Sequence, residues 1–560
     1  MMIIGKQFNG GVNLEDFPGD LLDNEVRRAI NAVLTKKGSL KKREGSSEYG
    51  TDADTALIYA IKGYSDSSGN YYRFKQKDTS VVEYHAGAWN TSIKTGLTTG
   101  LYLKMSNIKV PVVASVKTGT ASDGAEYSLT DSGIAWTVNA YRDYVVKITA
   151  GTGIGQVKTI LENTAEILYV DGRWDINPDA TSEYSIHLKV EGVISNNGTD
   201  SAFKIIGSTA TDLSAVPKFT DQVVHNSRLW GILGSKIYWS GLANGEQWDD
   251  YAYIDTGEEL TGIGRTKNFI AIYSKNKNGV ILGDNPDNLS LRWRENTHGC
   301  FSKLSIAFWN GYSIAMAQSG IYAFDGNRDY LISRKITPAI NDMNVGLKDE
   351  AFGLVFNDKY YLLHAQDSSS TVKDTMFVMD LIWSRISESY GVWTTFEGIN
   401  CNVIGVYKDS DGLNQLYIGK SDSSKVVLLF DDTYNDETSS IKFDIVSKEY
   451  DKGAVSVFGK LGWFFYEGAT QSTVSDLQVY KNLDGKGFEL FGTVEHIQTG
   501  GLWDVAIFDV ATFGGSERKI QRYRPGGRGR TIQYQLYNNM ADQAIEMFKF
   551  EQQVDLYNLH

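Results

Sequence analysis

The sequence predicts a mainly β protein: a β-propeller with an inserted small β domain, a C-terminal β-sandwich-like module and one short N-terminal helix. Three observations predict it. Fifty-six Gly stand against 7 Pro, beside 32 Tyr, 24 Phe and 12 Trp; this balance suits short strands joined by tight turns, because Gly supplies positive φ and aromatics fit a pleated surface. A hairpin phrase recurs, and Trp230, Ile270, Ile314, Tyr361 and Gly405, taken as equivalent points, lie 40, 44, 47 and 44 residues apart, the period of four-stranded propeller blades. With hydrophobic residues at 42%, the chain can bury a core large enough for several domains.

Residues 1–55 form an N-terminal docking or platform segment. Within it, LLDNEVRRAINAVL (21–34) carries Val26, Ile30, Val33 and Leu34 at helical spacing, with Asp23 or Asn24 to cap and Gly38 to stop, and so predicts the helix. Residues 56–108 are the first propeller part, where 56–87 reads as three meander strands split by turn clusters such as SDSSGN. Residues 109–190 break the phrase and read as the inserted domain. The main blades occupy 191–440. After 441, strands such as KLGWFFYEGA (460–469) and RTIQYQLYNN (530–539) read as the C-terminal β module, which contributes to the platform.

Fifty-five Lys and Arg against 68 Asp and Glu give a net charge of −13, which repels polyphosphate at long range and argues against a dedicated DNA-binding protein. Two cysteines, Cys300 and Cys401, cannot build a disulfide framework and are expected as buried thiols. The opening MMIIGKQFNGG lacks a basic then apolar leader, and no run of about 18 apolar residues occurs. A soluble protein made in the cytoplasm is expected.

Short motifs point to turns more than to chemistry. GTGIG (151–155) brings its third Gly one residue early for a dinucleotide loop and precedes a strand-like segment; GKS (419–421) follows a strand, with Gln415 where a phosphate loop needs Gly. DSDG (409–412) has no closing Glu for a calcium loop. The seven His include no pair at zinc spacing. SESYGVWTTF (387–396) resembles an Asp-box turn with Ser389 in place of the Asp. Asp66, Asp255, Asp284, Asp325 and Asp380 could supply the two carboxylates of a glycosidase, but nothing singles them out. No catalytic, metal-binding or nucleotide-binding residue is therefore assigned, and no cofactor is expected. Two basic clusters stand out: Lys36, Lys37, Lys41, Lys42 and Arg43, then Arg518, Lys519, Arg522, Arg524, Arg528 and Arg530. Both are candidate docking surfaces for an acidic partner or DNA phosphates, against the plainer reading of a solvated charged face.

FNGGVN (8–13), LLDNE (21–25), AIN (29–31) and GSLKKREG (38–45) resemble the opening of phage tail proteins, through Asn9, Gly10, Gly11, Asn31, Gly38, Leu40, Arg43 and Gly45. GTGIGQVKTI with WDINPDATSEYSI (174–186) resembles a small β module of virion proteins, SGIYAFDGN (319–327) a blade end, and RPGGRGRTIQYQL (524–536) a C-terminal segment of the same proteins. The family so indicated is the tail hub, nozzle or stabilization proteins of short-tailed bacteriophages. The resemblance implies a virion tail protein that is not an enzyme: a homo-oligomer, hexameric, below the portal and its adaptor, touching tail fibres or a tail needle, and transiently contacting genomic DNA that it retains and then conducts. The alternative is a propeller that binds glycans or degrades capsule.

Overall fold

The structure is a computed structural model that describes residues 2–4, 7–52, 54–283, 286–295, 297–451, 457–469, 475–496 and 518–558. Seven four-stranded antiparallel units follow one another along the chain. Blade one begins with Ile58–Ser65, blade two with Lys104–Pro111, blade three with Asp221–His225 and blade four with Leu260–Arg265. Blades five, six and seven begin with Ser302–Trp309, Phe352–Phe356 and Cys401–Lys408. These first strands pack side by side in a closed circuit, that of blade seven lying against that of blade one. The molecule is a seven-bladed β-propeller.

The ring closes by borrowing. The fourth strand of blade seven is Ser46–Glu48, from before blade one, and it pairs antiparallel with Val426–Leu429. Ring closure leaves only short, protected blade edges. Where blades seven and one meet, there is no room for a side chain at Gly405: a Cβ there would sit 2.3 Å from Ile61 Cγ2. Middle strands lose the alternation of a half-solvated sheet because both faces are covered: Ile270–Ser274 and Thr375–Asp380 are buried along their whole length.

Blade two is interrupted between its first and second strands. The chain leaves at Pro111 and returns at Lys189, and these two residues pair with each other. The intervening seven-stranded sheet closes around Leu129, Trp136, Ile160, Trp174 and Tyr184. Ion pairs dock this insertion on the loop at 241–251 of blade three: Lys147 meets Glu246, which Lys204 of blade two also holds, and Lys158 meets Asp249.

The remaining strands form a sandwich from both ends of the chain. One sheet runs Ala32–Leu34, Leu40–Lys42, Glu546–Asn558, Val457–Ala469, Arg518–Tyr523. The other continues blade six: Trp393–Glu397, then Glu25–Ile30, Phe443–Ser447, Ile532–Asn538, Asp476–Leu483 and Phe488–Glu495. Phe464, Tyr534 and Phe550 fill the space between the sheets, with ring centroids 5.0 to 5.5 Å apart, and Tyr534 donates to Gln552 Oε1 at 2.6 Å.

The predicted helix over 21–34 is not formed. Glu25–Ile30 and Ala32–Leu34 are strands, and the α-helix among the described residues is Thr337–Asp342. A register shift between Val26 and Arg28 and a left-handed Asn31 (φ 52°) break the two-residue alternation, so the apolar positions fall at spacings that imitate a helix. Gly38 (φ 82°) turns a hairpin and stops no helix.

Candidate interaction surface

The N-terminal basic cluster divides on burial. Lys36 and Lys37 are exposed at the tip of the hairpin between Ala32–Leu34 and Leu40–Lys42. Lys41 is half-buried and pairs with Glu44 at 2.6 Å. Lys42 and Arg43 are buried, which removes them from the docking surface. Lys42 Nζ donates to Asn538 Oδ1 (2.8 Å) and to Met540 O (3.2 Å), and burial, with the Arg43 charge adding to it, pushes its ammonium down to about 8. Arg43 donates through Nε to Asn31 Oδ1 (2.9 Å), through one terminal nitrogen to Asp436 Oδ1 (2.8 Å), and through the other to Asp436 Oδ2. A cation this deep needs partners on every donor.

The C-terminal cluster lies on an edge strand. Arg518–Tyr523 pairs with Val457–Ala469, Phe465 opposite Arg522, and the two-residue period of a strand puts residues 520 and 522 on one face, with Arg524 just after the strand. Ile520, Arg522 and Arg524 are exposed. The Arg522 and Arg524 guanidiniums sit 4.9 and 4.3 Å from the Trp463 ring, and that of Arg530 lies 5.0 Å from Phe458. The turn after them is fixed by Asp484, whose carboxylate accepts Arg530 N (2.6 Å) and Thr531 N (3.0 Å). Arg528 and Lys460, exposed, extend the strip where Lys460 pairs with Arg528 across the sheet. Arg518 and Lys519 are described through the strand backbone alone. The result is a row of arginines on an aromatic floor, a surface suited to carboxylates or phosphates. The floor itself was written in GWFFYEGA, where aromatic residues crowd a strand opposite a basic one.

Phe464 and Tyr466 are buried, while Trp463 and Phe465 are half-buried; Trp503 lies outside the described residues. The aspartates considered as acid–base candidates are occupied at turns. Asp66 accepts the backbone N–H of Ser68 and Asn70 (both 2.9 Å), Asp255 that of Gly257 (3.1 Å), and Asp325 those of Asn327 and Arg328 (2.7 and 2.9 Å). Asp380 accepts Ile382 N and Trp383 N and pairs with Lys359. Asp284 lies outside the described residues. The glycine-rich 151–155 run joins strands Val145–Ala150 and Val157–Asn163 as a loop, and 409–412 is the tip of the hairpin that opens blade seven. Among the described residues no group of three His, Cys, Asp or Glu is placed to hold a metal, and no helix is long and apolar enough to cross a membrane. Cys300 and Cys401 are free and buried; burial pushes the Cys401 thiol up to about 12.

Side chains of five blades meet on the propeller axis, where Ile61, Leu304, Ile306, Phe352 and Lys62 border a cavity of about 590 Å³. No protein-family model and no curated protein sequence matches the chain. Solved structures similar to it include Hsv2 from Kluyvelomyces marxianus, at 12% identity over 40% of this chain and 68% of that one, with a TM-score of 0.25. The N-terminal domain of Nup159 is 9% identical over 43% and 86% of the two chains, with a TM-score of 0.25. An exo-β-1,3-galactanase from Phanerochaete chrysosporium is 7% identical over 92% and 100%, with a TM-score of 0.22.

Proposed function

We propose that the chain is a structural subunit of a short-tailed phage tail, a hub or nozzle protein that forms a homo-oligomeric ring, hexameric, below the portal and its adaptor. The observation that carries the reading is the composite sandwich: both ends of the chain co-fold there, and the sheet that continues blade six faces a second sheet whose edge presents Arg522, Arg524 and Arg530 on Trp463 and Phe458. Such a block is a rigid platform built on the propeller wall, with a ready set of anchors for an acidic partner surface. In this reading the platform docks on the adaptor, and fibres or a needle meet surfaces away from it.

The axis of a single propeller is crowded by side chains, so genomic DNA runs between copies, through the opening at the centre of the ring. A net charge of −13 gives that wall a sign that disfavours phosphate adhesion and lets DNA pass without the drag of many lysine contacts. Retention then falls to the closed ring, and conduction to its smooth lumen.

The test is the mass and shape of the full chain, alone and mixed with candidate portal and adaptor rings, by light scattering and negative-stain microscopy. A ring with a central hole, or a ring assembled on the adaptor, supports the proposal. A monomer that ignores those rings overturns it and favours a glycan-binding propeller.

A further inference from the structure

The cavity on the propeller axis has a charge balance opposite to that of the chain. Its wall takes residues from the first strands of blades one, two, five, six and seven, with Ile61, Leu304, Ile306 and Phe352 among its apolar members. Three of its lining residues are lysines, Lys62, Lys104 and Lys408, and none is Asp or Glu, in a protein of net charge −13.

The nearby counter-charge is already spent. Asp221, buried, pairs with Lys104 Nζ at 3.2 Å, and its two oxygens also accept Gln222 N (2.9 Å) and Ile263 N (3.1 Å). Lys303, on the first strand of blade five, donates to Thr220 O at 2.8 Å. Lys408 lies 3.4 Å from Ser65 Oγ and over the Tyr71 ring. Lys62 Nζ has neither an ion pair nor a hydrogen bond among the described residues. Burial, with the Lys104 charge adding to it, pushes the Lys62 ammonium down to about 8. A half-buried ammonium beside a second cation is stabilised by any anion that enters.

We propose that the axial cavity binds a phosphate-type oxyanion, with Lys62 and Lys104 as its cationic ligands. The oxygens take the donors of both ammonium groups, and Asn107 and Asn414, which also line the space, supply neutral donors. About 590 Å³ accommodates inorganic phosphate or a phosphate monoester carrying an organic group. The site belongs to one chain, so it is independent of ring assembly and of the function proposed above.

Calorimetric titration of the full chain at constant ionic strength, with inorganic phosphate in one arm and a 5′-mononucleotide in the other, tests the proposal. Saturable binding of either, weakened about tenfold or more in Lys62→Met, is expected for loss of one charge-assisted contact; the arm that binds more tightly identifies the source. No saturable binding in either arm, or equal affinity in the variant, overturns it. In the unsubstituted chain, phosphate should protect Lys62 from an amine-acylating reagent, read by peptide mass mapping, while Lys36 and Lys37 stay reactive. Equal labelling of Lys62 with and without phosphate also overturns it.

Discussion

Replacing Arg43 tests whether the N-terminal basic run is structural. Its guanidinium is buried, bonded to both oxygens of Asp436 and to Asn31, and it lies 5.6 Å from the Phe396 ring. Removing one member of a buried ion pair costs about 3–5 kcal/mol, because the other is left without its counter-charge. In Arg43→Met the abandoned group is Asp436, one-fifth exposed and still bonded by Ser46 Oγ at 3.0 Å, while Asn31 Oδ1 keeps Glu397 N at 3.0 Å. Water can reach the carboxylate, so the cost belongs near about 3 kcal/mol. In Asp436→Asn the abandoned group is a guanidinium with no exposed side-chain surface, and the cost rises toward about 5 kcal/mol. The Arg43→Met/Asp436→Asn double variant should lose less than the sum of the two, since it strands neither charge. Urea unfolding followed by tryptophan fluorescence measures all three. A loss under about 1 kcal/mol for Arg43→Met, or strict additivity in the double variant, would refute the structural role of the Arg43–Asp436 pair.

Deleting residues 2–52 removes the closing strand of blade seven and the sandwich strands Glu25–Ile30, Ala32–Leu34 and Leu40–Lys42; the product should pellet as aggregate, and a soluble monodisperse propeller would contradict the closure. His364 is buried, and burial pushes its imidazole down to about 4, so the unfolded chain takes up a proton near 6.5 that the folded one refuses. The stabilisation is complete above pH 6.5 and drains as pH falls toward 4, by about 3 kcal/mol. His364→Leu should flatten the fall in urea midpoint between pH 7 and 4.5, leaving the part due to His187 and His225, whose imidazoles burial also lowers; an unchanged fall refutes the assignment. Arg522→Ala/Arg524→Ala should cost about 1 kcal/mol or less, as exposed cation–π pairs do, yet weaken adaptor binding and its salt dependence. Unchanged binding would move the docking surface elsewhere.

The propeller was legible because blades repeat. Trp230, Ile270, Ile314 and Tyr361 all fall on the second strands of blades three to six. Gly405 instead lies on the first strand of blade seven; it joined the series because an apolar inner strand looks like its neighbour. Blades one and two escaped the count, one for its polar loops and the other because the insertion separates its first two strands. The strand from Ser46 to Glu48 could not be read at all, since a three-residue segment has no periodicity and its partner is almost 400 positions away. The basic clusters were legible as composition only. Sequence reports that Lys42 and Arg43 are charged; what decides their role is the carboxylate of Asp436 and the amide of Asn538, brought in by the far end of the chain.

The distinctive residues at the opening of the chain have one physical task. Asn31 takes a left-handed φ that few other side chains tolerate, and every polar atom it carries is used. Its N–H donates to Thr395 O in blade six (2.7 Å), its Nδ2 to Lys442 O in the sandwich (2.8 Å), and its Oδ1 accepts Arg43 and Glu397. Gly45 has no space for a side chain, since a Cβ would lie 1.9 Å from Asn435 O. Leu40 is core, and Asn9 Oδ1 accepts Asn24 Nδ2 at 2.9 Å to hold the preceding turn. Together these residues carry the chain from the sandwich, past blade six, into the last strand of blade seven. A segment that must satisfy three sheets at once admits few alternatives at each position, so what reads as a signature of function in the sequence is, in the fold, the joint that makes platform and propeller one body.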